Sequence, residues 1–138
     1  MEEKEQEMFL DDTPYAKLWE DYEAKRLPNS LMSLCFCFSE VMGEGFLSFF
    51  YRLSKKDALE KTLEELKNVL TDDLWKIVEE ALIKWNDLKV DVKNMTKKEL
   101  KKLEAKNVFE KEETMFSESE LDFISLLNKE ATRRYKGA

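Results

Sequence analysis

The stretch SEVMGEGFLSFFYRLSK, residues 39–55, interrupts a chain that otherwise reads as one helix after another. It holds two of the three glycines, Gly43 and Gly45. Three aromatic residues follow the second glycine: Phe46, Phe49 and Phe50. The glycines allow a left-handed turn that ends the preceding helix, and the i, i+3, i+4 spacing puts the rings on one face of a short helix. We therefore expect a structural corner that folds this aromatic face back onto the molecule.

Helical structure is expected throughout the rest of the chain. Only three glycines and two prolines occur in 138 residues, and such sparse turn signals favour a few long helices. The expected fold class is all-α: a single-domain bundle of six or seven helices over residues 13–138, preceded by an acidic tail at residues 1–12. The run from Leu31 to Met42 is apolar on nearly every side, so it predicts a helix at the centre of the bundle.

Capping residues predict where the helices begin. The expected starts are Thr13 with Pro14, Asn29 or Ser30, Ser54 with Asp57, Thr71, Thr96 with Glu99, and Ser117 or Ser119. Residues 86–94 are expected to form a loop, and FEKEETMF, residues 109–116, is expected to form a connector. The last helix is expected to turn Leu121, Ile124, Leu127 and Ala131 inward.

The charge of the chain is unevenly distributed. The net charge is −7, with −9 in residues 1–83 and +4 in the lysine-rich residues 84–111. An acidic amino-terminal part repels nucleic acid and attracts basic partners. We therefore predict no direct binding to nucleic acid, and we interpret the lysine-rich segment as a solvated helix face.

Several classes of chemistry lack the residues they need. The chain contains no histidine, which removes the commonest general base and metal ligand. Cys35 and Cys37 lie two residues apart in an apolar run, and this favours two core residues over a zinc site or a disulfide. We predict no enzymatic activity, no cofactor and no metal.

No membrane association is expected either. The sequence has no run of about 18 apolar residues, which a membrane-spanning helix needs. The start, MEEKEQEMFLDD, is acidic and does not resemble a secretory signal. The predicted location is the cytoplasm.

Clusters of carboxylates are the remaining candidates for function. They include Glu60, Glu64 and Glu65 on one predicted helix and Glu79 with Glu80 on the next. Such groups bind a divalent cation or flank a sugar in some proteins. A solvated helix face is the favoured interpretation, with lysine partners such as Glu60–Lys56 or Glu80–Lys84.

The stretch around Gly45 also resembles a bacterial family of small all-helical proteins, the DMP-like DNA mimics. The family pattern is a glutamate, then a short gap, and then Asn-Gly-Gly-Phe-x-Gln-Phe-Phe-x-Asn. Matching residues are Glu40, Gly45, Phe46, Phe49 and Phe50. Departures are Gly43 and Glu44 in place of Asn-Gly, Ser48 in place of Gln and Arg52 in place of Asn. The resemblance continues over roughly residues 15–135.

The resemblance implies an acidic homodimer whose carboxylates imitate the phosphates of DNA. Such a protein occupies the DNA-binding face of a basic protein, such as a transcription factor that binds DNA. The candidate partner-binding residues of this chain are Glu20, Asp21, Glu23, Glu60, Glu64, Glu65, Asp72, Asp73, Glu79 and Glu80.

A second interpretation keeps the acidic surface and changes the partner. An immunity-type or adaptor protein would inhibit one toxin or partner through an acidic and aromatic surface, with Phe46 and Phe50 as candidate anchors. Such an interface needs apolar anchors as well as charge. Binding by mimicry alone should weaken steeply with salt, and an anchored interface should weaken less.

Overall fold

The computed structural model describes residues 13–135, and the acidic tail expected at residues 1–12 lies outside this range. Within it the chain is all-helical, as expected, and no strand occurs there. The described residues form eight helices: α1 (Pro14–Glu23), α2 (Asn29–Gly43), α3 (Phe46–Lys55), α4 (Leu59–Val69), α5 (Asp72–Leu88), α6 (Lys97–Ala105), α7 (Glu110–Glu118) and α8 (Glu120–Tyr135).

The expectation of six or seven helices is wrong because the predicted connector at 109–116 is largely helix α7. Three glutamates lie in its first turn, where negative charge is favourable against the helix dipole. Phe116 is buried in the core and holds the helix in place. The loop expected at 86–94 is also too long, because α5 continues to Leu88 and ends at Lys89 in the left-handed conformation.

Three threonines cap helices as predicted. Thr13 accepts a hydrogen bond from the Ala16 N–H at 3.1 Å. Thr71 caps α5, and Thr96 forms a complete capping box with Glu99 at the start of α6.

Two of the other predicted caps are absent from the structure. The cap expected at Asn29 or Ser30 is wrong, because α2 begins at Asn29 directly after Pro28 and has no side-chain cap. Ser54 does not cap the following helix, because α3 runs on to Lys55 and α4 begins only after Ala58. Ser119 lies between α7 and α8, as expected for one of the two serines.

Helix α2 is the centre of the molecule, as its apolar sequence predicts. It packs against α1, α3, α4, α7 and α8. Leu34, Cys35 and Cys37 are fully buried, and burial raises the pKa of the Cys35 thiol to about 12. Four large side chains of α2 are only partly buried: Met32, Phe36, Phe38 and Met42. Two sides of this central helix are therefore incompletely covered, one at Met32 and Phe36 and the other at Phe38 and Met42.

The buried face of α8 differs from the expected one. Phe123, Leu127 and Ala131 are its buried residues, and Ile124 is half-buried. The prediction that Leu121 points inward is wrong, since this side chain is 78% exposed. At about 100° per residue, Leu121 lies roughly a third of a turn away from the buried face.

Candidate protein-binding surface

The turn at Gly45 and the aromatic face of α3, which we call the Gly45 corner, is structural, as expected. Gly45 has φ +102°, a conformation that side chains rarely adopt, and it forms the N-cap of α3. All three rings that follow have no exposed surface: Phe46, Phe49 and Phe50. The left-handed turn expected at both glycines is wrong for Gly43, which ends α2 and does not have a positive φ.

A glutamate from a distant helix closes this corner. The Phe46 N–H donates a hydrogen bond of 2.8 Å to Oε2 of Glu113 in α7. The carboxylate therefore satisfies one of the free N–H groups at the start of α3. A Cβ atom on Gly45 would collide with the same Glu113 oxygen. The sequence did not predict this hydrogen bond between Glu113 and the corner, because nothing in the local sequence connects residue 113 with residue 46.

Glu40 is also structural. It is only 7% exposed and accepts hydrogen bonds from Ser48 Oγ at 2.6 Å and from Arg52 Nη1 at 2.9 Å. Ser48 and Arg52 are two positions at which the chain departs from the family pattern. Their shared contact shows that these positions support a buried carboxylate at the corner.

The ten candidate carboxylates divide by exposure. Seven are exposed: Glu20, Glu23, Glu60, Glu64, Asp72, Asp73 and Glu79. Three are partly buried: Asp21, Glu65 and Glu80. Glu65 accepts a 2.7 Å hydrogen bond from the Ser33 hydroxyl of α2, so its expected exposure is wrong. One oxygen of Glu80 is buried and finds no hydrogen-bond partner among the described residues.

Asp21 holds a cation at the end of α1. Arg26 approaches its Oδ1 to 2.7 Å, and the Tyr135 hydroxyl donates to its Oδ2 at 2.6 Å. The Tyr135 hydroxyl and the Arg26 guanidinium hold the pKa of the Asp21 carboxyl below its usual range. This carboxylate is therefore engaged within the protein.

The lysine pairing expected along the helices is wrong. Neither the Glu60–Lys56 pair nor the Glu80–Lys84 pair occurs among the ion pairs of residues 13–135. Lys84 instead reaches α7, where its ammonium lies 2.9 Å from the buried carboxylate of Glu112. The tertiary contact prevails because the buried Glu112 carboxylate needs a counter-charge.

An open groove of about 880 Å³ lies where α1, α2 and α8 meet, and we call it the acidic groove. Four large, half-buried side chains provide its apolar surface: Trp19, Phe38, Met42 and Ile124. Three carboxylates lie at the same groove: Glu20, Glu23 and Glu120. The remaining lining residues are Tyr15 and Ala16, so none of the described lining residues is basic.

A chain of aromatic contacts connects the acidic groove to the Gly45 corner. Trp19 contacts Phe38 at a ring separation of 6.4 Å, and Phe38 contacts Phe123 at 5.6 Å. Phe123 in turn lies 4.3 Å from Phe116, and Phe116 meets Phe46 edge to face at 5.5 Å. The floor of the groove therefore rests on the closely packed core.

The sequence did not predict the acidic groove, although it carried one signal for it. Helix α2 is apolar all round, so every side of it must be covered or leave apolar residues at the surface. Phe38 and Met42 are the residues left uncovered on this side. The contribution of Glu120 had no such signal, because α8 meets α1 only through the fold.

The other candidate carboxylates lie elsewhere on the molecule. Glu60 and Glu64 belong to α4, and Asp72 and Asp73 lie in the first turn of α5. Asp73 borders a separate groove with Asp122 and Lys129 of α8. The structure therefore gathers Glu20 and Glu23 at one groove and leaves the candidates of α4 and α5 outside it.

The described residues contain neither a metal-binding cluster nor a membrane-spanning helix. No cluster of three or more side chains able to hold a metal ion occurs within residues 13–135. Within the same residues, every helix is too short or too polar to cross a membrane.

Comparison with known proteins identifies the family. A family model described as DMP19-like protein matches residues 25–135, which is most of the chain. The chain therefore belongs to the DMP19-like protein family, the family of DNA mimics that the residues around Gly45 resemble. None of the curated proteins or solved structures compared with the chain gave a match. The matched region begins after α1, so Trp19, Glu20 and Glu23 lie outside it.

Proposed function

We propose that this member of the DMP19-like family is a non-enzymatic acidic module that binds a basic regulatory protein and occupies its DNA-binding face. The observation that carries the proposal is membership in a family of DNA mimics, which is not a known enzyme family. The exposed carboxylates support it, because a mimic must present negative charge to its partner. A homodimer, which the family resemblance implies, would double this surface.

The exposed carboxylates form local groups of negative charge, although they are more widely spaced than the charges of DNA. Duplex DNA carries one charge for about every 1.7 Å of its axis. Glu60 and Glu64 are four residues apart on α4, so they are separated by about 6 Å along the helix. Asp72 and Asp73 add two adjacent charges at the start of α5. A rigid helical scaffold thus holds its negative charges a few ångströms apart.

The distribution of charge restricts how the mimicry works. Residues 1–12 contain six acids and one lysine, and they account for −5 of the net charge of −7. Residues 13–138 carry a net charge of only −2, because the lysines of residues 84–111 offset many of the acids. Binding to a basic partner therefore depends on local acidic faces and on the tail, since the overall field is weak.

Competition with DNA is the direct test. DNA-binding proteins captured by the full chain would be titrated with it in the presence of their own fluorescent DNA duplex. The chain should displace the duplex, and the inhibition should weaken steeply as salt rises. A ternary complex of partner, duplex and this protein would contradict the proposal.

A charge variant and a matched control sharpen that test. Replacing Glu60 and Glu64 with Gln and Asp72 and Asp73 with Asn removes four exposed charges. We expect inhibition to weaken by at least about tenfold, because each exposed pair contributes about 0–1 kcal/mol. The control replaces four exposed lysines of α6 with Gln: Lys97, Lys98, Lys101 and Lys102. It removes the same number of charges and should not weaken inhibition.

An immunity-type or adaptor function is the second candidate, and the acidic groove favours it. Such a protein needs apolar anchors next to its charges. Phe46 and Phe50, the anchors expected from the sequence, are fully buried and unsuited to this role. Trp19 and Phe38 are the partly exposed aromatic residues beside carboxylates. A partner that binds this protein and DNA at once, with weak salt dependence, would favour this function.

A further inference from the structure

We propose that the acidic groove binds a short amphipathic helix of a basic partner, with large apolar residues on the groove floor and Lys or Arg residues against its carboxylates. The inference rests on the proposed function as a protein-binding module. It goes further by naming the binding site and the chemistry of the bound segment. Part of this site, on α1, lies outside the region that defines the family.

The apolar surface of the groove has the size for such a segment. From Tyr15 to Glu23 the groove follows α1 over eight residue steps, a length of about 12 Å. The anchors of an amphipathic helix at i, i+4 and i+7 span about 10.5 Å. Met42 and Ile124 provide apolar contacts from α2 and α8, and the exposed Leu121 lies one turn before Ile124.

The carboxylates at the groove are available to a basic partner. The side-chain carboxylates of Glu23 and Glu120 form no ion pair or hydrogen bond with the other described residues. Glu20 lies 3.9 Å from Arg26, but that guanidinium is drawn to Asp21 at 2.7 Å. Two of the three negative charges beside the apolar floor therefore lack a partner among the described residues, and the third has only a distant one. Lys or Arg side chains of a bound segment would supply closer partners.

Charge also argues against other occupants. Nucleic acid would meet repulsion from the three glutamates. A second groove, of about 400 Å³, lies on the other side of Glu23 and includes Met32 and Phe36. Its lining includes Lys25 and Lys56, so it offers a mixed environment to a basic segment. The acidic groove is the better match.

The probe is a synthetic helical peptide of about 14 residues with Leu at i, i+3, i+4 and i+7 and Lys elsewhere. We call it the Leu/Lys peptide. Calorimetry with the full chain at about 0.15 M salt would measure its binding. Two matched peptides separate the contributions: one replaces each Leu with Ala, and the other replaces each Lys with Glu. We expect both replacements to weaken binding by at least about tenfold.

Matched variants of the protein locate the binding site. The groove variant carries Glu20→Gln, Glu23→Gln and Glu120→Gln. The control carries Glu44→Gln, Glu104→Gln and Glu118→Gln, which removes three exposed charges outside the groove and outside the candidate partner-binding carboxylates. The Leu/Lys peptide should bind the groove variant at least about tenfold more weakly and the control with unchanged affinity. A further variant, Ile124→Gln, keeps all charges and should also weaken binding.

Several results would overturn the inference. The first is that the Leu/Lys peptide does not bind the protein. The second is that it binds the groove variant and the control with equal affinity. The third is that the peptide with Ala in place of Leu binds the protein as tightly as the Leu/Lys peptide does. A change in oligomeric state with the groove variant, measured by sedimentation, would make a second copy of the chain the occupant and refute a basic helix. The peptide test does not depend on competition with DNA. The groove can therefore be shown to bind the peptide even if the protein does not compete with DNA for its partner.

Discussion

The Gly45 corner and the acidic groove use the same kinds of residue in opposite ways. At the corner, three phenylalanines are fully buried, and the carboxylates of Glu40 and Glu113 both accept hydrogen bonds. At the groove, Trp19 and Phe38 are only half-buried, and the carboxylates of Glu23 and Glu120 lack close partners within the described residues. The corner is complete within the chain, whereas the groove offers contacts to another molecule.

The contrast between the corner and the groove indicates where a binding site lies in this fold. Burial and satisfied polar groups stabilise the corner, and its resemblance to a family pattern follows from this structural role. Open apolar surface beside unpaired charge costs stability without a partner, so it points to recognition. The most recognisable motif of the sequence is thus structural, and a chain of aromatic contacts from Trp19 to Phe46 connects it to the candidate site.

The largest effect is expected from a substitution that breaks the corner. Gly45→Val should lower the free energy of unfolding by about 2–4 kcal/mol, because a positive φ strains a β-branched residue and the new side chain collides with Glu113. Urea unfolding measures the change. The control is Gly43→Ala. The Cβ atom added at this position lies in open space, so the substitution should leave the stability unchanged or raise it. Equal losses from both substitutions would contradict the distinct roles of the two glycines.

A smaller loss is expected from removing the distant cap of the corner. Glu113→Ala leaves the Phe46 N–H without its carboxylate acceptor and should cost about 1–2 kcal/mol. Glu118→Ala on the same helix is the control, since Glu118 is exposed and should change stability by less than about 0.5 kcal/mol. Thermal unfolding of both variants compares them. If Glu113→Ala were no more destabilising than Glu118→Ala, the contact between α7 and α3 would be energetically unimportant.

The smallest stability effect concerns the boundary of the acidic groove, where Asp21 keeps Arg26 from Glu20. Tyr135→Phe removes the hydroxyl that donates to Asp21 and should cost about 1 kcal/mol near neutral pH. The pKa of Asp21 is lowered in the folded protein, so this stabilisation is present above the unfolded value of about 3.9 and is lost as pH falls through the folded value.

Unfolding curves across the acidic range check that dependence. The difference between wild type and Tyr135→Phe should be constant from about pH 7 to 5 and should shrink below about pH 4. Tyr51→Phe is the control, because it removes a hydroxyl from a half-buried tyrosine without an acidic hydrogen-bond partner among the described residues. A difference that persisted at low pH would show that Tyr135 acts through packing instead.

Local signals in the sequence predicted local structure well. Thr71 and Thr96 cap helices as expected, and Gly45 has the positive φ that its position suggested. The apolar run of α2 correctly placed that helix at the centre. Each of these features depends on a few neighbouring residues, whose preferences the sequence contains directly.

The features that the sequence did not predict depend on contacts between distant segments. Helix α7 is rich in glutamate and has little apolar periodicity, and its Glu113 and Phe116 make contacts that only the fold creates. The acidic groove draws on three helices, so the proximity of Glu120 to Glu20 was not readable from their spacing. Local preference thus gave the helices, and tertiary packing determined which carboxylates meet.

The most direct test of the central claim, that recognition occurs at the acidic groove and not at the corner, is a nuclear magnetic resonance titration of the labelled protein with the Leu/Lys peptide. Amide shifts should concentrate in α1, in residues 38–42 and at the start of α8, and the Trp19 indole should shift more than that of the buried Trp85. Shifts confined to α4 and the start of α5, with Trp19 unchanged, would contradict the account.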